Sequence, residues 1–183
     1  IAIRCYYSNV QDLTDQIELH YLNEVNPGYL WLFPIGNNKA NVGIGLSKNH
    51  AKNDSRTLSQ ILDQVIKSGP FKKRFKYSEK LEKPRGWNLP CGSTHRENCG
   101  DRFMLIGDSA GLIDPFTGEG IGNAMVSGKY AMQILAESKT KKDFSKNSFK
   151  KYDQILWEEI GKELKTSTRL QSLAKSSFLL NFV

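Results

Sequence analysis

Residues 102–120, Arg-Phe-Met-Leu-Ile-Gly-Asp-Ser-Ala-Gly-Leu-Ile-Asp-Pro-Phe-Thr-Gly-Glu-Gly, constrain this chain more than any other stretch. A short apolar run, 103–106, ends at Gly107-Asp108; a glycine-rich turn follows, and a helical pattern opens near Glu119. The pattern predicts a buried strand that delivers one carboxylate to a loop beside a helix N-terminus. Such a loop suits a polyhydroxylated, anionic cofactor. Asp108 can accept hydrogen bonds from sugar-like hydroxyls, and free N–H groups at a helix start favour negative charge. Glycines at 107, 111, 118, 120 and 122 let a ligand approach the main chain. An ordinary strand–loop–helix connection would read the same way, so the residues alone leave both alternatives open.

The first 47 residues read as β-structure. Runs at 2–8, 16–22, 28–34 and 40–46 carry β-branched and aromatic residues with partial alternation. Asn26-Pro27-Gly28 and Gly36-Asn37-Asn38-Lys39 mark turns, which predicts three or four antiparallel strands. Residues 55–68 switch to helical period, with Leu58, Ile61, Leu62, Val65 and Ile66 on one stripe, Asp54 or Ser55 as N-cap and Gly69-Pro70 as the stop. Residues 76–83 suit a further short strand. Helices are expected over 121–138, 149–165 and 168–180. The small residues Gly122, Ala124, Ser127, Gly128 and Ala131 permit close packing of the first of these. The fold class is therefore α+β: an antiparallel sheet region with one helix over 1–100, a strand-loop-helix over 101–138 and a helical region over 139–183.

On an extended strand, Tyr29, Trp31 and Phe33 share one side. Three aromatics on one face make either a wall for an apolar ligand or a piece of core.

The stretch from Gly107-Asp108-Ser109-Ala110-Gly111 to Pro115-Phe116-Thr117-Gly118-Glu119-Gly120-Ile121 resembles the second flavin-binding motif of FAD-dependent oxidoreductases of the p-hydroxybenzoate-hydroxylase type. Its ending is most similar to the geranylgeranyl reductase branch. The resemblance implies FAD as cofactor, with Gly107, Asp108 and Pro115 in the flavin-binding motif. Asp108 would sit at the ribityl–pyrophosphate part, and Gly118, Gly120 and Ile121 would present backbone donors to the flavin ring. Tyr29-Leu-Trp31-Leu-Phe33-Pro34 resembles the Tyr-x-Trp-x-Phe-Pro signature of that branch, which implies that Tyr29, Trp31 and Phe33 line a cavity for a prenyl or related lipid substrate. Asn41-Val-Gly43-Ile-Gly45 looks family-like too, its glycines leaving room beside the wall. Ile35 departs from the family, where a basic residue is frequent. Arg85-Gly86-Trp87-Asn88-Leu89-Pro90 resembles a segment packed near the cofactor, and a plain turn reads equally well. The resemblance implies reduction of carbon–carbon double bonds, with no catalytic acid assignable and the electron donor unspecified. Its rivals are an aromatic hydroxylase or halogenase, an electron-transfer dehydrogenase of the same superfamily, and a non-enzymatic lipid-binding module. The family's first motif, Gly-x-Gly-x-x-Gly after an opening strand, has no counterpart apart from Gly118-Glu-Gly-Ile-Gly inside the second. The expectation is therefore a fragment without the N-terminal nucleotide-binding half, inactive by itself.

The net charge is +7, and residues 139–183 hold 10 Lys/Arg against 5 Asp/Glu. A solvated helix face and a peripheral contact with anionic lipid headgroups both fit that bias. A nucleic-acid role does not, because the aromatic-interleaved strands of an RNA-recognition sheet are missing. Three cysteines argue against a disulfide framework and suit a reducing cytoplasm. Cys91-x3-His95-x3-Cys99 has soft ligands, but its spacing and flanking glycines read as a loop and no metal is expected. His20 and His50 read as structural or solvent-facing.

Overall fold

Six strands form one antiparallel sheet: β1 (Ala2–Ser8), β2 (Glu18–His20), β3 (Gly28–Pro34), β4 (Ala40–Leu46), β5 (Glu79–Lys80) and β6 (Arg85–Trp87). The order is β2-β3-β4-β1, with β5 and β6 each pairing with β1. The computed structural model describes residues 1–26 and 28–173, apart from the side chains of Asn49 and His50. Within it the chain divides between Asn88 and Leu89 into two units.

Alternation along the strands decides the two faces of the first unit. Leu30 and Leu32 of β3, Val42 and Ile44 of β4 and Ile3 and Cys5 of β1 point into one core. Helix α1 (Lys48–Asn53) follows the sheet, and α2 (Leu58–Ile66) covers that face with Ile61, Leu62, Val65 and Ile66. A further turn, α3 (Phe71–Arg74), adds Phe71. The cap of α2 is Thr57 rather than Asp54 or Ser55: its hydroxyl accepts from Gln60 N at 3.3 Å and the Gln60 side chain answers at Thr57 N, a capping box. The Asp54 carboxylate is occupied elsewhere, accepting from the backbone N–H and the guanidinium of Arg56. Strand β2 is shorter than the run 16–22. Asn37 and Asn38 both take positive φ in the β3–β4 hairpin, the conformation that such a turn demands.

The second unit is mainly helical. A two-stranded hairpin, β7 (Cys99–Gly100) with β8 (Phe103–Met104), leads into a 3-10 turn at Gly107–Ala110. Helices α4 (Ile121–Lys141), α5 (Lys146–Glu159) and α6 (Gly161–Leu173) follow. Leu112, Ile134, Phe149, Tyr152, Leu156, Ile160 and Leu164 close their core. Two expectations need correction. The run 103–106 is not a buried strand: pairing stops at Met104, and Phe103 and Ile106 are 51% and 45% exposed. Two residues of hairpin, turning through Arg102 at φ 65°, give the run a partner on one side only. The helix over 149–165 is interrupted after Glu159, and the segment 168–180 continues α6 to Leu173 rather than starting afresh. Its remainder, 174–180, lies outside the described residues.

Neighbouring residues of β3 should differ sharply in their effect on folding. Leu32→Ala empties a fully buried site and is expected to cost about 2–5 kcal/mol. Ile35→Ala, on an exposed apolar residue just past the strand, should cost under about 0.5 kcal/mol. Urea unfolding of the two variants measures the contrast.

Candidate functional site

The second unit builds a loop around Asp108. Gly107 has φ 54°, and a Cβ there would come within 2.8 Å of the Ala124 methyl, so the turn passes against α4 with only a hydrogen between them. Two side chains of α4 fasten it: Ser127 Oγ accepts from Gly107 N at 3.0 Å, and Asn123 Nδ2 donates to Leu112 O at 2.8 Å. The Asp108 side chain is exposed and stands beside Gly120, where an added Cβ would lie 3.1 Å from Oδ1 and 3.2 Å from Ile113 Cγ1. The carboxylate and the start of α4 therefore face a common space that a side chain at 120 would fill.

Asp114 holds the rest of the loop in shape. Its Oδ1 accepts from Phe116 N at 2.9 Å, Thr117 N at 2.8 Å and Thr117 Oγ1 at 3.0 Å. Its backbone N donates to Glu119 O at 2.7 Å, and its carbonyl accepts from Gly118 N at 2.9 Å. Helix α6 supports the same loop, with Gln171 donating to the carbonyl of buried Pro115 and Ser167 hydrogen bonding to Asp114. Burial pushes the Asp114 carboxyl up, but the bonds from Ser167, Thr117 and Phe116 outweigh it and hold the group below its ordinary range. Glu119 caps α4 by accepting from Gly122 N at 2.7 Å.

Of the three backbone groups expected to serve as donors, Gly118 is spent inside the loop, whereas the N–H groups of Gly120 and Ile121 meet no backbone acceptor among the described residues. The geometry brings Gly107, Asp108, Gly120 and Ile121 together, with Pro115 and Gly118 behind them as supports. Ser127 was expected only as a small packing residue, and Asn123, Ser167 and Gln171 were not singled out from the sequence. The first two are small polar residues one turn apart on a helix meant to pack closely, a signal that could have found them; the α6 pair has none.

The first unit presents a different surface. Tyr29, Trp31 and Phe33 stand on the sheet face opposite the core, with ring centroids 6.3 Å apart in each successive pair, and Tyr21 extends the row at 6.0 Å from Tyr29. The choice between wall and core is resolved in one respect: these rings are not members of the buried cluster. The indole lies across β4, where a Cβ at Gly43 would overlap the Trp31 ring and the Ile3 carbonyl. Trp31 Nε1 donates to Asn41 Oδ1 at 3.1 Å, which fixes the ring's direction. Arg85–Trp87, weighed as a turn or a cofactor-side segment, is strand β6.

The remaining candidates have structural partners. His20 packs edge-on against Phe71 and pairs with Glu18, whose carboxyl is drawn below its ordinary range by Arg74 and His20 despite partial burial. His95 Nε2 meets Asp153 Oδ2 at 3.1 Å, and Cys99 is in the core. His50 lies outside the described side chains. Tyr152 is pushed up to about 12 by burial and by Asp153 and Cys99, and its hydroxyl donates to Leu105 O at 2.6 Å. Among the described residues no helix is long and apolar enough to cross a membrane.

Removing the Asp114 carboxylate should loosen the loop. Asp114→Ala takes the acceptor from three part-buried donors of Phe116 and Thr117 and from buried Ser167, and is expected to cost about 1–3 kcal/mol at neutral pH. Because the folded group titrates below its unfolded value, near 3.9, that contribution is complete above this value and fades as pH falls through the folded one. The wild-type and variant stabilities, followed by urea unfolding from neutral pH downward, should therefore converge only in strong acid.

Residues 1–86 match the family described as the geranylgeranyl reductase catalytic domain. The chain is 36% identical over 146 residues to digeranylgeranylglycerophospholipid reductase 2 of Methanosphaera stadtmanae, covering 79% of this chain and 35% of that protein. A crystal structure of a geranylgeranyl bacteriochlorophyll reductase-like protein from Thermoplasma acidophilum superposes with a TM-score of 0.80 at 29% identity, over 95% of this chain and 43% of that one. A halogenase PltM variant in complex with FAD shares the fold alone: TM-score 0.67, 15% identity, 96% of this chain and 38% of that one. The chain thus spans about a third of the length of the curated relatives it matches. The matched domain and the archaeal relatives together place it with the geranylgeranyl reductases, within the FAD-dependent oxidoreductases.

Proposed function

We propose that this chain is part of an enzyme that reduces carbon–carbon double bonds in the prenyl chains of a lipid, with FAD as the hydride carrier. The observation that carries the reading is the aromatic row Tyr29, Trp31 and Phe33 laid over the glycine strand, inside the segment that matches the reductase domain. An isoprenoid chain lying on such a shelf loses water from one side. At about 0.8 kcal/mol per methylene fully buried, half-burial of a five-carbon unit contributes roughly 2 kcal/mol. Several units in succession would hold a double bond in place without any polar contact to it. The flat rings suit a chain whose only distinguishing features are its methyl branches and its double bonds.

The loop of the second unit fits the cofactor. Asp108 offers an exposed carboxylate to ribityl hydroxyls, and the N–H groups of Gly120 and Ile121 at the mouth of a 21-residue helix favour the electron-rich edge of the flavin. Gly120 leaves the room that such a group needs. Reduced FAD held there would supply the hydride, its electrons coming from a separate donor. The protein's share is to position both reactants and to shield the transfer from water.

The fold likeness to halogenases supports the same cofactor but not their chemistry, because oxygen activation has no need of an aromatic shelf for a chain.

The test is anaerobic. The protein at its full encoded length, loaded with FAD and reduced with dithionite, should have its flavin absorbance restored by a prenyl glycerophospholipid. Restoration by oxygen alone would replace the reductase reading with a hydroxylase or halogenase. Asp108→Ala should weaken FAD binding about ten- to a hundredfold, the loss of one or two charge-assisted hydrogen bonds. Trp31→Ala should raise KM for the lipid and leave FAD affinity unchanged.

A further inference from the structure

The strand register defines one straight row across the face of the sheet that is turned away from the core. Leu19 opposes Trp31, Trp31 opposes Gly43, Gly43 opposes Arg4, and Arg4 opposes Arg85. Paired residues in antiparallel strands project to the same face, so the five positions run side by side. At about 4.8 Å per strand, the row is roughly 19 Å long. It begins with two apolar groups, passes over a bare glycine and ends with two cations.

Those two cations sit badly in the free protein. Like charges directly opposed across strands destabilise a sheet. Among the described residues one carboxylate compensates: Glu82 contacts the Arg4 guanidinium and lies 3.4 Å from Arg85 Nε. Arg4 is otherwise fixed by stacking over the Tyr6 ring, 4.5 Å from its centroid. Arg85 is 73% exposed, with most of its donors turned to solvent. Two guanidinium groups sharing one carboxylate leave an excess positive charge with planar N–H forks, which matches a phosphate ester better than any neutral group.

Resting on the lipid reading above, we infer that Arg4 and Arg85 form a subsite for the phosphate headgroup of the lipid whose apolar chain lies at the Leu19–Trp31 end of the same row. The subsite sets polarity: the headgroup is held at β1–β6, and the chain can lie over Gly43 and Trp31 in one direction only. It also sets reach, because the first carbons after the phosphate cross the glycine before they meet the indole.

The experiment compares a prenyl glycerophosphate with the corresponding uncharged prenyl alcohol, both in neutral detergent micelles, by calorimetric titration into the full chain. Wild type should bind the phosphate lipid at least about tenfold more tightly than the alcohol, a preference that shrinks with added salt. Arg85→Gln, and more fully Arg4→Gln with Arg85→Gln, should bring the phosphate lipid down to the affinity of the alcohol, whose own binding stays unchanged. Arg85→Gln removes an exposed like charge and leaves the Arg4–Glu82 contact intact, so its melting temperature should equal or exceed that of wild type. A phosphate preference that survives in the double variant would overturn the subsite, as would a wild type that binds both lipids equally; either result would leave the lipid reading standing. Failure of both lipids to bind would overturn the lipid reading and the subsite with it. Inorganic phosphate alone binding as tightly as the phosphate lipid would assign the arginines to a free anion instead.

Discussion

The contact between the Trp31 indole and the bare backbone of Gly43 is the constraint on which the first unit's surface depends. A sheet face normally offers a lawn of side chains that would lift a large ring into solvent. Here the neighbouring strand presents no Cβ at Gly43 or Gly45, so the indole lies down across it and becomes a floor, tied at its nitrogen to Asn41. Tyr29 and Phe33 then continue that floor in both directions. The opposite face of the same strands carries the core under α2. One seven-residue strand thus carries core on its even-numbered residues and the proposed lipid shelf on its odd-numbered ones, and a register slip of one residue would exchange the two faces.

The second unit solves a different problem, that of holding irregular backbone still. The loop from Asp108 to Gly120 has little regular structure of its own, and its groups must find partners one at a time. Asp114 supplies most of them, from a buried position reinforced by α6. The exposed carboxylate, Asp108, is left with no such duty. The loop therefore separates two aspartates six residues apart into one that shapes the backbone and one that faces outward, by burial alone.

Strands β3 and β4 were legible because period-two patterning and a two-asparagine turn agree about them, and their ends fall at the expected residues. The stripe of α2 was equally plain, but its cap was not: three candidate capping residues occur in a row of four, and the choice of Thr57 depends on Arg56 engaging Asp54. The run 103–106 looked like a buried strand because local hydrophobicity says nothing about which neighbours supply the burial. The break near Ile160 is not legible in the sequence because apolar spacing continues through it, with Leu156, Ile160 and Leu164 all in one core. At the candidate site, the resemblance of 107–121 to a flavin motif selected residues that the structure does bring together. The supports from α6 could not be read, since they act across more than fifty residues of sequence.

Net charge gave the least information about where recognition occurs. The basic C-terminal segment drew attention by count, yet Lys146 and Lys151 are engaged with Glu97 and Glu137 there. In the first unit 13 Lys/Arg face 8 Asp/Glu, a similar excess whose densest cluster, 72–76, includes neither Arg4 nor Arg85. What distinguishes Arg4 and Arg85 is that register aligns them, 81 positions apart, in one line with Trp31. A charge on a helix surface is free to reorient and is screened within about 10 Å at ordinary salt. A charge pinned to a strand at a fixed distance from an apolar floor discriminates between ligands, because a head and a tail must both fit the same spacing.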